Sequence, residues 1–206
     1  LSVRGFQHLA IWPGGVDTEL FRPRDKRGEF KGPVAMYVGR VATEKSIEDF
    51  LVAPFAGSKV VVGDGPSRAR LQAQYPEAIF TGFRHGEALA QTLNEADVFV
   101  FPSKTDTLGL VMLEAMACGV PVAAYPVCGP KDVVDDGRTG ALHHDLSVAM
   151  DTALGLGGQA CRQYAEQFSW QASSQRFLEL LQPLGLHEVM VSAARAGGEP
   201  PLRKAI

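Results

Sequence analysis

Residues 101–122 read Phe-Pro-Ser-Lys-Thr-Asp-Thr-Leu-Gly-Leu-Val-Met-Leu-Glu-Ala-Met-Ala-Cys-Gly-Val-Pro-Val. Two carboxylates, Asp106 and Glu114, flank a Leu108-Gly109-Leu110 turn that opens a helix. Glu114 is set among Val, Met, Leu and Ala, so it is poorly solvated. A carboxylate in such surroundings costs several kcal/mol, by order of magnitude, unless donors reach it. A ribose diol supplies two donors. The free amides from Leu108 to Val111, at the helix start, face an anion or sugar hydroxyls. The competing reading is that Glu114 only complements the positive end of its own helix.

Cations stand at a second junction. The apolar run Val34–Gly39 ends in Gly39-Arg40, and Lys45 follows at the start of an amphipathic stretch. An arginine fork beside a lysine point charge makes a diphosphate clamp; the plainer alternative is two solvated surface cations. A third junction, Gly63-Asp64-Gly65-Pro66, is glycine-rich in the manner of phosphate-cradling loops, and equally in the manner of any tight strand-to-helix turn. The dinucleotide fingerprint requires a third glycine where Arg68 stands, and Ile79–Arg84 offers no acidic residue for a ribose, which disfavours a nicotinamide-dependent oxidoreductase. The five histidines and three cysteines form no group with metal-ligand spacing, and no two aspartates are separated by a single residue. No metal and no cofactor is expected.

The elements that must position these residues alternate in kind. Val34–Gly39, Lys59–Gly63, Ala78–Gly82, Asp97–Pro102, Pro121–Tyr125 and Gly140–His143 are continuous apolar runs, as expected of strands covered on both faces. Between and after them lie helical patterns over Glu44–Val52, Pro66–Gln74, Gly86–Glu95, Gly109–Cys118, Lys131–Val134, Leu146–Leu156, Cys161–Phe168 and Trp170–Leu181. This is an α/β pattern: a Rossmann-like, doubly wound parallel sheet of about six strands with helices on both faces, in the order 3-2-1-4-5-6. Residues 1–20 read as the remnant of a preceding domain and a linker, 21–183 as the domain, and 184–206 as a flexible tail.

Composition narrows the classes. Of 206 residues, 46% are hydrophobic and 21% charged, which excludes disorder as the default. A formal charge of −3 gives no reason to expect a nucleic-acid partner. The most apolar stretch, Leu108–Cys128, is interrupted by Glu114 and Pro121 and is too broken to span a bilayer. Three cysteines, an odd number, suit a reducing compartment, with Cys118 and Cys128 expected as small buried residues. No signal peptide is apparent, so a cytoplasmic protein is expected.

From Asp106 through Glu114 and its Glu-Ala-Met-Ala-Cys-Gly-Val-Pro-Val continuation, the chain resembles glycosyltransferase family 4, retaining enzymes of the two-domain GT-B fold. Further matches run in the same order: Gly15-Val16-Asp17 with Phe21-Arg22-Pro23, Val38-Gly39-Arg40 with Glu44-Lys45, Val62–Pro66, Phe80–Phe83, Ala96–Ser103 and Asp136–Gly140. The resemblance covers Val16 to Leu181. It implies one half of a GT-B fold that binds a UDP- or GDP-sugar donor without a metal. Arg40 and Lys45 would hold the diphosphate, and Asp106 would sit by the donor sugar. Glu114 would bind the ribose, the Leu108–Leu110 amides would contact sugar or phosphate, and Phe83-Arg84 would border the base. Asp106 departs from the family's usual glutamate, and Ser46 and Cys128 stand where glycine is common. The family's acceptor-binding N-terminal domain has no counterpart here, which implies a missing partner domain and a chain that does not turn over alone. It also implies self-association through apolar surface within Gln163–Leu181, and peripheral membrane contact where the acceptor is a lipid. The alternative is a nucleotide-binding module without a catalytic half.

Overall fold

The computed structural model describes Gly5, Trp12, residues 14–106 and residues 109–181. The Leu108 expectation and the tail over 184–206 therefore lie outside the described residues.

The chain falls into two compact units, one of residues Leu1–Gly15 with Trp170–Ile206, the other Val16–Ser169. The larger unit begins just before the 21–183 stretch read as the domain and ends inside it. In the larger unit, β1 (Val34–Val38), β2 (Ser58–Val62), β3 (Ile79–Gly82), β4 (Val98–Phe101), β5 (Val122–Ala124) and β6 (Gly140–Leu142) form one sheet in the order β3-β2-β1-β4-β5-β6. Every pairing is parallel. This is the expected order, and the chain returns to the centre once, so β4 pairs with β1.

The strands read as unbroken apolar runs because both sheet faces are dry. Met36, Val38, Val60, Val62, Phe99 and Phe101 pack on one side with α3 (Gly86–Leu93), α4 (Leu110–Ala117) and α7 (Gly158–Glu166). Ala35, Tyr37, Val61, Val98 and Val100 pack on the other with α1 (Ile47–Val52), α2 (Arg68–Gln74) and α6 (Leu146–Leu154). Alternate residues of each strand supply the two layers, following the period of two. A short α5 (Pro130–Val133) precedes β6. In the smaller unit, α8 (Trp170–Leu181) receives a hydrogen bond at the Ser173 carbonyl from Trp12 Nε1 (3.0 Å) and leaves Trp170, Phe177 and Leu178 about half exposed.

Two expectations need correction. The helix expected over Glu44–Val52 is split: a 3₁₀ turn, Thr43–Lys45, stops at Ser46, which adopts the left-handed conformation (φ 50°, ψ 36°) before α1 begins. A helix cannot run through that geometry. Cys128 is exposed, not buried, because it lies on the loop after β5; Cys118 and Cys161 are buried.

Ser46 is the one described non-glycine residue with positive φ, and its side chain makes no capping bond to offset the strain. An L-residue in that conformation costs roughly 1–2 kcal/mol, while a glycine loses a little of that gain through the unfolded chain. Ser46→Gly should therefore stabilise the fold by about 0.5–1 kcal/mol. The check is urea unfolding, with the midpoint rising at unchanged slope; a lower midpoint would contradict the strain.

Candidate active site

Polar groups have no place inside a sheet that is covered on both faces, so they gather at the strand ends. A cleft of about 880 Å³ opens at the carboxyl ends of β1–β4 and is lined from all four. β1 sends Gly39, Arg40, Glu44 and Lys45 to it; β2 sends Gly63 and Asp64; β3 sends Phe83–Gly86; and beyond β4 come Asp106, Gly109, Val111 and Glu114. It sits where the strand order reverses, the position at which open α/β sheets bind ligands.

The loops after β1 and β2 are drawn tightly together. Val41 N–H donates to the Asp64 carbonyl (2.9 Å) and Ser67 N–H to the Val41 carbonyl (3.0 Å). Any Cβ at Gly63 would stand 1.9 Å from the Gly39 oxygen, and one at Gly65 2.4 Å from the Val41 oxygen, both at positive φ. The glycine-rich turn is therefore explained by this backbone approach. Gly65 packs on the Val41 carbonyl and does not line the cleft. Asp64 accepts the Gly65 N–H (2.7 Å) and pairs with Arg68 (3.0 Å), which holds its carboxyl below the usual range.

The cations differ in their commitments. Arg40 is two-thirds exposed, with only a 3.8 Å contact to Glu44. Its backbone is pinned from beneath, because the buried Tyr37 hydroxyl donates to the Arg40 carbonyl (2.9 Å). Burial, with the charges of Asp106 and Glu44, raises the pKa of that hydroxyl, keeping it a donor. Lys45 Nζ lies 2.5 Å from Asp106 Oδ1. Arg84 is fully engaged, forking onto both Glu29 oxygens (2.6 and 3.1 Å) and reaching the Thr92 hydroxyl (2.6 Å). Phe83 beside it is 73% exposed and stacks on His85, with ring centroids 5.7 Å apart.

The loop carrying Asp106 is tethered two residues upstream. Lys104 Nζ donates to Asp49 (2.7 Å), and the Tyr125 hydroxyl donates to the same oxygen (3.0 Å). The lysine lies over the tyrosine ring at 4.7 Å. Beyond the loop, Gly109 takes a left-handed conformation (φ 67°) as the N-cap of α4. Val111 and Glu114, one turn apart on α4, face the cleft. Leu110 opens the helix with its side chain 40% exposed and outside the cleft lining.

Glu114 is the least satisfied of these groups. It is half-buried and has neither a hydrogen-bond nor an ion-pair partner among the described residues, and desolvation alone pushes its carboxyl up to about 7. The first turn of α4 holds no acidic residue, so Glu114 lies too far along to complement the helix terminus. Sequence reasoning missed Tyr37, His85 and the Lys104–Asp49–Tyr125 tether. Tyr37 was legible as the penultimate residue of β1, directly beneath Arg40; the tether joins residues far apart in the chain. Among the described residues, no group of three His, Cys, Asp or Glu comes together that could hold a metal ion.

Residues 32–155, more than half of the chain, match the family model described as glycosyl transferases group 1. A GDP-mannose-dependent alpha-mannosyltransferase of Mycobacterium tuberculosis is 38% identical over 151 residues, which cover 69% of this chain and 40% of that protein. The apo lipopolysaccharide outer core galactosyltransferase WaaB superposes with a TM-score of 0.72 at 20% identity, covering 88% of this chain and 58% of its own. Anabaena HepE in complex with UDP gives 0.67 at 19%, covering 82% and 56%. The fold is the Rossmann-like half of a GT-B glycosyltransferase. The chain spans about two fifths of the length of the curated relatives it matches.

Glu114 yields a prediction about stability and pH. Its folded-state value near 7 lies above the ordinary 4.5, so the folded protein keeps a proton that the unfolded chain has lost at intermediate pH. The stabilisation from this group is complete below about pH 4.5 and is lost as pH rises through 7. Glu114→Gln removes that loss. Thermal melts should find the variant more stable than the parent at pH 8, by about 1–3 kcal/mol at 1.36 kcal/mol per unit, with the difference closing at pH 4.5. An equal difference at both pH values would exclude a buried, unpaired carboxylate.

Proposed function

This chain belongs to the glycosyl transferases group 1 family, and from that membership and the cleft we propose that it is the donor-binding half of a retaining, metal-independent glycosyltransferase. The donor is a UDP- or GDP-sugar and the acceptor is a hydroxyl group. The observation that carries this reading is the pairing of an unpartnered, half-buried carboxylate at Glu114 with the cations Arg40 and Lys45 in one cleft. A ribose diol gives the carboxylate the two donors it lacks, while the diphosphate gives the cations their counter-charge.

In the reaction, the bond from the sugar's anomeric carbon to the diphosphate oxygen breaks and the acceptor oxygen bonds to that carbon. The diphosphate leaves with the electron pair, and its departing oxygen takes the proton that the acceptor hydroxyl releases. Arg40 and Lys45 stabilise the charge that grows on the leaving group, an electrostatic role in a site fixed beforehand. Asp106 orients the donor sugar through its hydroxyls. The exposed face of Phe83 receives the base, with Arg84 locked beside it as part of the wall. The GDP-mannose named for the mycobacterial relative and the UDP bound to HepE support these two nucleotides. The acceptor site we assign to a second domain of the whole enzyme, so turnover belongs to that longer protein. The three unpaired cysteines support a cytoplasmic setting.

Calorimetric titration with UDP, GDP and NADH tests the proposal. One nucleoside diphosphate should bind, and Glu114→Ala should weaken it by roughly 1.5–3 kcal/mol, tenfold or more, by loss of a charge-assisted contact. Binding of NADH alone would sink the reading. Because the ribose is held by the ionised carboxylate, affinity should also fall as pH drops below about 7 and binding should release protons. A pH-independent affinity between 6 and 8 would remove Glu114 from the ribose site.

A further inference from the structure

The ion pair between Lys45 and Asp106 crosses the cleft from the loop after β1 to the loop after β4, and both side chains are about a quarter exposed. Each end is fixed independently. Lys45 closes a 3₁₀ turn that Ser46 terminates, and Asp106 follows the loop tied by Lys104 to Asp49 and Tyr125. Of the three cleft cations, Arg84 is committed to Glu29 and Thr92, Arg40 is almost free, and Lys45 is held by one carboxylate that also faces the ligand space.

Resting on the donor-site reading, we propose that Asp106 competes with the diphosphate for Lys45 and thereby sets the cleft's preference for a sugar nucleotide over the free nucleoside diphosphate. A diphosphate gains Lys45 only by stripping it from Asp106. The carboxylate is then left in a partly desolvated cleft, beside a new anion and without a donor, and an unpaired charge of that kind is costly. A sugar nucleotide brings hydroxyls that donate to the abandoned carboxylate. A nucleoside diphosphate brings no hydroxyls beyond the ribose pair, which Glu114 takes. Once the sugar has been transferred, Asp106 loses those hydroxyls, retakes Lys45 and disfavours retention of the product.

The experiment is calorimetry on this chain with UDP, UDP-glucose, GDP and GDP-mannose, comparing the parent with Asp106→Asn. For whichever base the parent binds, Asp106→Asn should bind the free nucleoside diphosphate about tenfold more tightly. Its preference for the sugar nucleotide over that diphosphate should fall by at least tenfold. Asp151→Asn removes the same charge from an exposed position on α6 outside the cleft lining, and it should change either affinity less than threefold. In a Lys45→Met background, Asp106→Asn should lose its effect, since the partner it releases is gone. Unchanged or weaker binding of the nucleoside diphosphate by Asp106→Asn, or an equal gain from Asp151→Asn, overturns the proposal while leaving the donor-site reading intact. Failure of the parent to bind any of the four ligands overturns both.

Discussion

The exclusion of water from both faces of the sheet governs what the rest of this protein can do. With helices packed on either side, β1, β4 and β5 bury every residue; none of them is charged, and the one polar group along them, the Tyr37 hydroxyl, is hydrogen-bonded. Charge is forced to the strand ends. Parallel strands bring all their carboxyl ends to one edge, and the reversal between β1 and β4 separates the helices there. The cleft therefore draws on four successive strand ends. Its chemistry is decided by the few residues after each strand.

Those residues were legible to different degrees. The strands stand out as runs such as Val-Ala-Met-Tyr-Val and Val-Phe-Val-Phe because a doubly covered strand has no alternation to hide it. Glu114 was conspicuous for the same reason: a carboxylate among Val, Met, Leu and Ala has no local excuse. The break at Ser46 was not legible, since serine carries no general signal for a left-handed backbone, although its place at a position the family gives to glycine pointed there. Cys128 was misjudged because residue type says little about burial on a loop.

The polar contacts that tune the site were out of reach of any local pattern. Lys45 with Asp106, Arg84 with Glu29, and Lys104 with Asp49 each join residues more than fifty positions apart. Nothing in the neighbourhood of either partner announces the other. Resemblance named Arg40, Lys45, Asp106 and Glu114 as site residues, but gave no indication that one cation would be spoken for and another left open.

That unevenness is the physical content of the cleft. A site in which every charge were neutralised internally would have no residual attraction for a ligand, and one in which none were would be destabilised by desolvated charges. Here the burden is divided. Arg84 is satisfied by a bidentate partner and serves as wall, Arg40 stays in water where an unpaired guanidinium costs little, and Lys45 is stabilised by a carboxylate that ligand hydroxyls can relieve. Glu114 alone carries an uncompensated burial cost, moderated by its ability to hold a proton near neutral pH. A group arranged in this way gains more from a donor-rich ligand than a solvated carboxylate could, because the ligand replaces no existing bond. On the proposed reading, the stability forgone at Glu114 thus becomes selectivity for a diol when a donor binds.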